Sequence, residues 1–218
     1  MSAQDFSQAK KTEIECQSLH GLSLEGKKVF LTVARLEDYK GIDRAIAAIS
    51  RVVRIHPEAC LVICGDGPDR ARLEKLVKHY RVEEFVHFTG VLTNEALKQY
   101  FRRADVFLLL SRDDYETPNV EGFGLVILEA AACGVASIGG RAGGIIDAIV
   151  EGETGWLVDP THDEAIVAAM FEALQNPDEL KRRGENARDR VLREFQWKHA
   201  ATNLLKYLRK EEGTHVRN

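Results

Sequence analysis

Short apolar runs alternate along this chain with segments whose apolar residues recur at helical spacing. Residues 29–34 predict a strand, followed by a loop and an amphipathic helix from about Ile42 to Ile55. The next strand, 61–64, ends in Gly65-Asp66-Gly67-Pro68, where the proline can open a helix running to about Tyr80. Residues 85–88 predict a third strand, Thr93 an N-cap, and 94–102 the helix that it caps. The near-continuous apolar run 106–110 predicts a fourth strand, buried on both faces. A polar loop, 111–120, leads to Glu121 and an apolar helix. Strands at 134–138 and 155–158 follow, and Asp159-Pro160-Thr161-His162-Asp163 starts a helix-rich tail reaching about Arg209. Repeated β-α units predict an α/β fold, a Rossmann-like parallel sheet with helices on both faces. In such sheets ligands sit beyond the carboxyl ends of the strands, at a topological switch point. Residues 1–25 show neither strand nor core pattern and are expected to form a linker or detached segment; the domain proper is expected over 26–195 and a C-terminal helix over 196–218.

A chain of 218 residues can bury a sizeable core. Its formal net charge of −4 argues against general nucleic-acid binding. No apolar run approaches the roughly 20 residues that span a bilayer. The polar stretch from Met1 to Lys11 lacks a signal-peptide core, so a cytoplasmic chain is expected, with membrane contact only through a further domain. Cys16, Cys60, Cys64 and Cys133 lack metal spacing; Cys60 and Cys64 would share one face of a strand as reduced, buried thiols.

Two features carry candidate chemistry. Glu121 stands just ahead of an apolar helix start, and Glu129 follows in the next turns. Were all intervening residues helical, the two carboxylates would lie about 12 Å apart, roughly the span from sugar to ribose in a nucleotide sugar. The helix N-terminus between them favours an anion. An ordinary amphipathic helix with two solvated glutamates fits the same spacing. Arg35 and Lys40, in the loop after the first strand, could clamp a diphosphate and stabilise charge growing on a leaving phosphate. A pair of surface cations, one held by Glu37 or Asp38, fits as well. The glycine turn at Gly65 lacks the GxGxxG pattern and reads as a plain turn rather than a phosphate loop. The run Gly139-Gly140-Arg141-Ala142-Gly143-Gly144 permits close backbone approach to a ligand or to the neighbouring sheet. The histidines are dispersed and none lies beside a nucleophile.

Taken together, these residues resemble the C-terminal, donor-binding domain of glycosyltransferase family 4, retaining enzymes of the two-domain GT-B architecture. The resemblance covers about residues 26 to 210. It rests on Arg35 with Lys40-Gly41, Gly65-Asp66-Gly67-Pro68, Gly90-Val91, the Glu121 to Glu129 segment, Gly143-Gly144, Thr154-Gly155-Trp156 and Phe195-Gln196-Trp197. It implies that Arg35, Lys40 and Glu121 are the catalytic set: the cations contact the donor diphosphate and Glu121 holds sugar hydroxyls. Glu129 would hold the ribose diol, and the backbone of Phe123, Gly124, Leu125 and Val126 would serve sugar and phosphate. The Gly65 turn would border the nucleotide, and Val91 would meet the base through main chain. The implied donor is a UDP- or GDP-sugar, mannosyl-type among the options, with no metal and no cofactor. Such enzymes also carry an N-terminal acceptor domain, for which this chain has no residues. The expected partner is therefore that missing domain or a separate chain, against which residues 197–209 would pack. Rival readings are a non-catalytic nucleotide-sugar-binding module and half of another GT-B enzyme, such as an epimerase or a phosphorylase.

Overall fold

The computed structural model describes residues 19–113 and 121–195. Six parallel strands form one sheet: β1 (Lys28–Val33), β2 (Ala59–Cys64), β3 (Val86–Gly90), β4 (Val106–Leu109), β5 (Ala136–Gly140) and β6 (Gly155–Val158). Their order across the sheet is β3-β2-β1-β4-β5-β6. The chain thus winds outward from β1 in one direction and returns to β4 on its other side. The switch point lies between β1 and β4, where crossovers diverge and leave a crevice.

Each central strand sends alternate residues into two separate cores. Phe30, Leu61, Ile63, Leu108 and Ile138 meet α1 (Ile42–Val52), α2 (Arg70–Tyr80) and α6 (Asp163–Gln175). Leu31, Val62, Phe107 and Leu109 meet α3 (Asn94–Arg103), α4 (Leu125–Ala132), the short α5 (Ile145–Ala148) and α7 (Pro177–Glu194). Cys60 and Cys64 fall together in this second core, as the alternation predicts. Thr93 caps α3 by accepting a hydrogen bond from the N–H of Ala96 at 3.3 Å.

Several boundaries differ from the sequence expectations for identifiable reasons. Helix α1 ends at Val52, short of Ile55, because Pro57 disfavours helical backbone at His56. Pro68 lies in the turn, and α2 begins at Arg70 after Asp69. The third strand is displaced toward Gly90, and α5 was not anticipated. The tail is two helices, interrupted at Asn176 where Pro177 opens α7.

Residues 19–25, expected to lie in a linker, belong to the packed unit. Leu19 and Leu24 are buried in the second core. The Tyr100 hydroxyl donates to the Leu19 carbonyl at 3.2 Å, and the Arg103 guanidinium donates to the carbonyls of Leu24 and Lys27. Asp105 completes the join, pairing with Arg103 at 3.2 Å and accepting from the N–H of Val29 at 2.8 Å. The expected helix over 197–209 lies outside the described residues.

Candidate functional site

Loops after β1, β4 and β5 converge at the switch point. After β1 the chain turns through a short 3-10 segment, Asp38–Lys40, and leaves it at Gly41, whose φ of 68° is left-handed. A Cβ at Gly41 would lie 2.0 Å from the carbonyl oxygen of Leu110, so the backbone after β1 packs directly on the end of β4. The Gly65 turn seats the same loop from the other side. A Cβ at Gly65 would meet the Ala34 carbonyl oxygen at 2.0 Å, and Leu36 N–H donates to the Asp66 carbonyl at 3.0 Å. Backbone proximity therefore accounts for glycine at 65.

This seating brings Lys40 to Glu121. The ammonium lies 2.8 Å from Glu121 Oε2, and the Ser111 hydroxyl donates to the same oxygen at 2.6 Å. The two side chains are 14% and 10% exposed. The ammonium also sits 4.6 Å from the centroid of the Tyr39 ring. Burial works to lower the pKa of Lys40, but the hydrogen bonds and charges of Glu121 and Tyr39 outweigh it and hold the group above its ordinary value.

The Glu121 segment departs from the all-helical geometry considered above. Gly124 is left-handed at φ 68°, and α4 starts only at Leu125. The helical path from Leu125 to Glu129 rises about 6 Å, and the remainder is loop. That loop is pinned by the glycines after β5. Gly144 N–H donates to the carbonyls of Glu121 at 3.3 Å and Gly122 at 2.7 Å, and a Cβ at Gly143 would lie 2.0 Å from the Glu121 carbonyl oxygen. Of the two uses the glycine run permits, the close approach here is to the protein's own backbone. At the start of α4, the N–H groups of Leu125 and Val126 have no acceptor among the described residues. They leave a donor-rich helix end of the kind that takes anions. Phe123 packs on Phe195 at 5.5 Å between centroids.

The remaining sequence candidates stand apart from the Lys40–Glu121 pair. Arg35 is 69% exposed and pairs with Glu37 at 3.1 Å, as the surface-cation reading anticipated for one of the two. Val91, 79% exposed, follows Gly90, whose carbonyl accepts from Gly65 N–H at 2.9 Å and so ties the two loops. Glu129 is half-buried with no side-chain hydrogen bond or ion pair among the described residues, and burial raises its pKa. Burial likewise pushes Cys60 and Cys64 up to about 11 and Cys133 up to about 12, which keeps them protonated and inert. Sequence reasoning passed over Ser111 as a partner of Glu121. Its place directly after β4, at a strand's carboxyl end, was the available signal.

Fold and site together define a doubly wound α/β domain of Rossmann-like type, with a buried cation–carboxylate pair and an open helix N-terminus in its crevice. Residues 20–190 match the family model described as Glycosyl transferases group 1, and the chain belongs to that family. It is 34% identical over 185 residues to the GDP-mannose-dependent alpha-(1-6)-phosphatidylinositol monomannoside mannosyltransferase of Mycolicibacterium smegmatis, covering 85% of this chain and 48% of that protein. The chain spans about half the length of the curated relatives it matches. Among solved structures, it is similar to the C-terminal domain of a glycosyl transferase group 1 family protein (LpcC) from Francisella tularensis, with TM-score 0.76 and 23% identity, over 90% of this chain and 99% of that one. It is also similar to Anabaena HepE in complex with UDP, with TM-score 0.84 and 18% identity, over 96% of this chain and 56% of that one. These two likenesses establish the GT-B C-terminal-domain fold. No described helix is long and apolar enough to cross a membrane.

Proposed function

We propose that this chain is the donor-binding half of a retaining glycosyltransferase that takes a UDP- or GDP-sugar. The observation that carries the reading is the Lys40–Glu121 pair, set at the switch point next to the open N-terminus of α4. Lys40, with Arg35 swung from the surface, neutralises the donor diphosphate, while the N–H groups at Leu125 and Val126 donate to its oxygens. Glu121 holds sugar hydroxyls, and the backbone at Phe123 and Gly124 lines the sugar. Glu129 takes the ribose diol, and the Gly65 and Val91 loops border the nucleoside. In the transfer, the bond between the anomeric carbon and the diphosphate oxygen breaks, and a bond to an acceptor oxygen forms as that oxygen passes its proton to the departing diphosphate. The nucleoside diphosphate leaves with the charge that Lys40 and Arg35 stabilise.

The acceptor site belongs to the other half, so this chain alone binds nucleotide with little transfer, lacking the proximity that the acceptor domain supplies. The spread of its relatives, a GDP-mannose enzyme by sequence and a UDP complex by fold, supports the nucleotide-sugar class and leaves both bases in the proposal. Calorimetric titration with UDP, GDP and ADP in EDTA tests it. Saturable, metal-independent binding that favours one base is expected. Absence of binding to all three overturns the reading.

A further inference from the structure

Ser111 and Arg112 lie just beyond β4, after Leu110, and between them they reach both sides of the buried pair. Ser111 bonds to Glu121, whereas Arg112 brackets Lys40 without touching it. The N–H of Arg112 donates to the Tyr39 carbonyl at 2.9 Å. Its guanidinium lies 2.7 Å from Asp38 Oδ2, at the start of the 3-10 turn, and 3.2 Å from Asp43 Oδ1, in the first turn of α1. Three anchors, on either side of Lys40 in sequence, thus tie the β1 loop to the end of β4 across the switch point. Arg72 supports the same carboxylates from α2, at 2.9 Å from Asp38 and 4.0 Å from Asp43.

We propose that Arg112 is a positioning residue for the donor site: it fixes the turn that carries Lys40, so that the ammonium is already in place when a diphosphate arrives. The inference rests on the donor-binding reading above. A planar fork that engages two carboxylates and presents a backbone N–H to a third point holds a turn in a way a point charge cannot. The turn ends in a left-handed glycine, and each anchor that fixes it beforehand reduces the ordering cost that binding would otherwise carry. The guanidinium itself is committed to Asp38 and Asp43, so its action on the ligand passes through Lys40.

Charge and position predict opposite signs, which makes the inference testable. Arg112→Ala removes a positive charge and Asp43→Ala removes a negative one; a purely electrostatic effect weakens diphosphate binding in the first and tightens it in the second. Positioning weakens both. The full chain and its variants are titrated with UDP, GDP and the matching nucleosides in EDTA, with folding followed by circular dichroism. Both variants are expected to lose about tenfold in diphosphate affinity, with nucleoside affinity unchanged. Where Arg112→Ala does not fold, Arg112→Lys keeps the charge without the fork and is expected to show the same loss. Tighter or unchanged diphosphate binding in Asp43→Ala overturns the positioning role. If the wild type binds neither UDP nor GDP, the donor reading falls and this inference with it. If the wild type binds, Lys40→Ala loses affinity, and the Arg112 and Asp43 variants bind normally, only the positioning role falls.

Discussion

Replacing Glu121 by alanine leaves the Lys40 ammonium without its carboxylate in a pocket where the side chain is only 14% exposed. It also leaves the fully buried Ser111 hydroxyl without its acceptor. Removing one member of a buried pair costs about 3–5 kcal/mol, and the residual exposure of both groups puts this case near about 3 kcal/mol. For a chain of this size, that lowers the midpoint of thermal unfolding by about 6–12 °C. The complementary variant removes every group at once: Lys40→Met, Glu121→Leu and Ser111→Ala. With no charge or hydroxyl left buried, it is expected within about 1 kcal/mol of the wild type.

The pH dependence supplies an independent sign. Lys40 has its pKa raised by folding, so its contribution is fully present below the unfolded value of 10.5 and is lost as pH rises through the folded one. Urea unfolding of wild type and Lys40→Met should therefore differ by a constant amount from neutral pH to about 10, with the gap closing above that. If Glu121→Ala melts with the wild type, or the triple variant is as unstable as the single, the pair is solvent-screened and the reasoning fails.

Gly41→Ala forces a side chain into left-handed backbone, at about 1–2 kcal/mol, and drives its Cβ to 2.0 Å from the Leu110 carbonyl. A lower urea midpoint together with weakened UDP or GDP binding is expected, and wild-type values for both would refute the close packing of the two loops. Burial raises the Glu129 pKa, so the folded state holds its proton longer than the unfolded one, and stability falls as pH rises through the folded value. Glu129→Gln should thus be more stable than the wild type at neutral pH and match it below about pH 4, near the unfolded carboxylate value, while binding nucleotide more weakly. Unchanged affinity counts against the ribose role. Cys60 and Cys64, with pKa values of about 11 inside the second core, should react with a disulfide reagent at pH 8 only as the protein unfolds, and a rapid native-state phase would contradict their burial.

The elements legible in the sequence are those whose burial is written locally. Strands β2 and β4 are covered on both faces by helices and read as unbroken apolar runs, β1 is broken only by Thr32 after its first residue, and Thr93 announces its helix by a contact only three residues long. The start of α4 was hidden for the converse reason. Residues 123–132 are apolar almost throughout, so no polar face marks the first turn, and the boundary is set by one backbone dihedral at Gly124. Leu19 and Leu24 were hidden because Tyr100 and Arg103, far along the chain, hold their backbone.

The site divides the same way. Its candidate residues were chosen at strand ends and helix starts, where ligands bind in such sheets, but their coupling was not legible. Lys40 and Glu121 entered as independent contacts, one for phosphate and one for sugar, whereas the fold joins them across 81 residues of sequence. That junction changes the energetics of binding. The ammonium that a diphosphate would meet is already bonded to a carboxylate, so a ligand must share Lys40 with Glu121 or displace it. On the donor-binding proposal, displacement would free Glu121 for the sugar only as the phosphates take up the lysine's charge. A donor carrying both groups would therefore gain more than the sum of sugar and nucleotide bound separately. The comparison to make is sugar, nucleotide and nucleotide sugar on one titration scale: simple additivity of their free energies, after allowance for linkage entropy, would show that the pair does not couple the two ends.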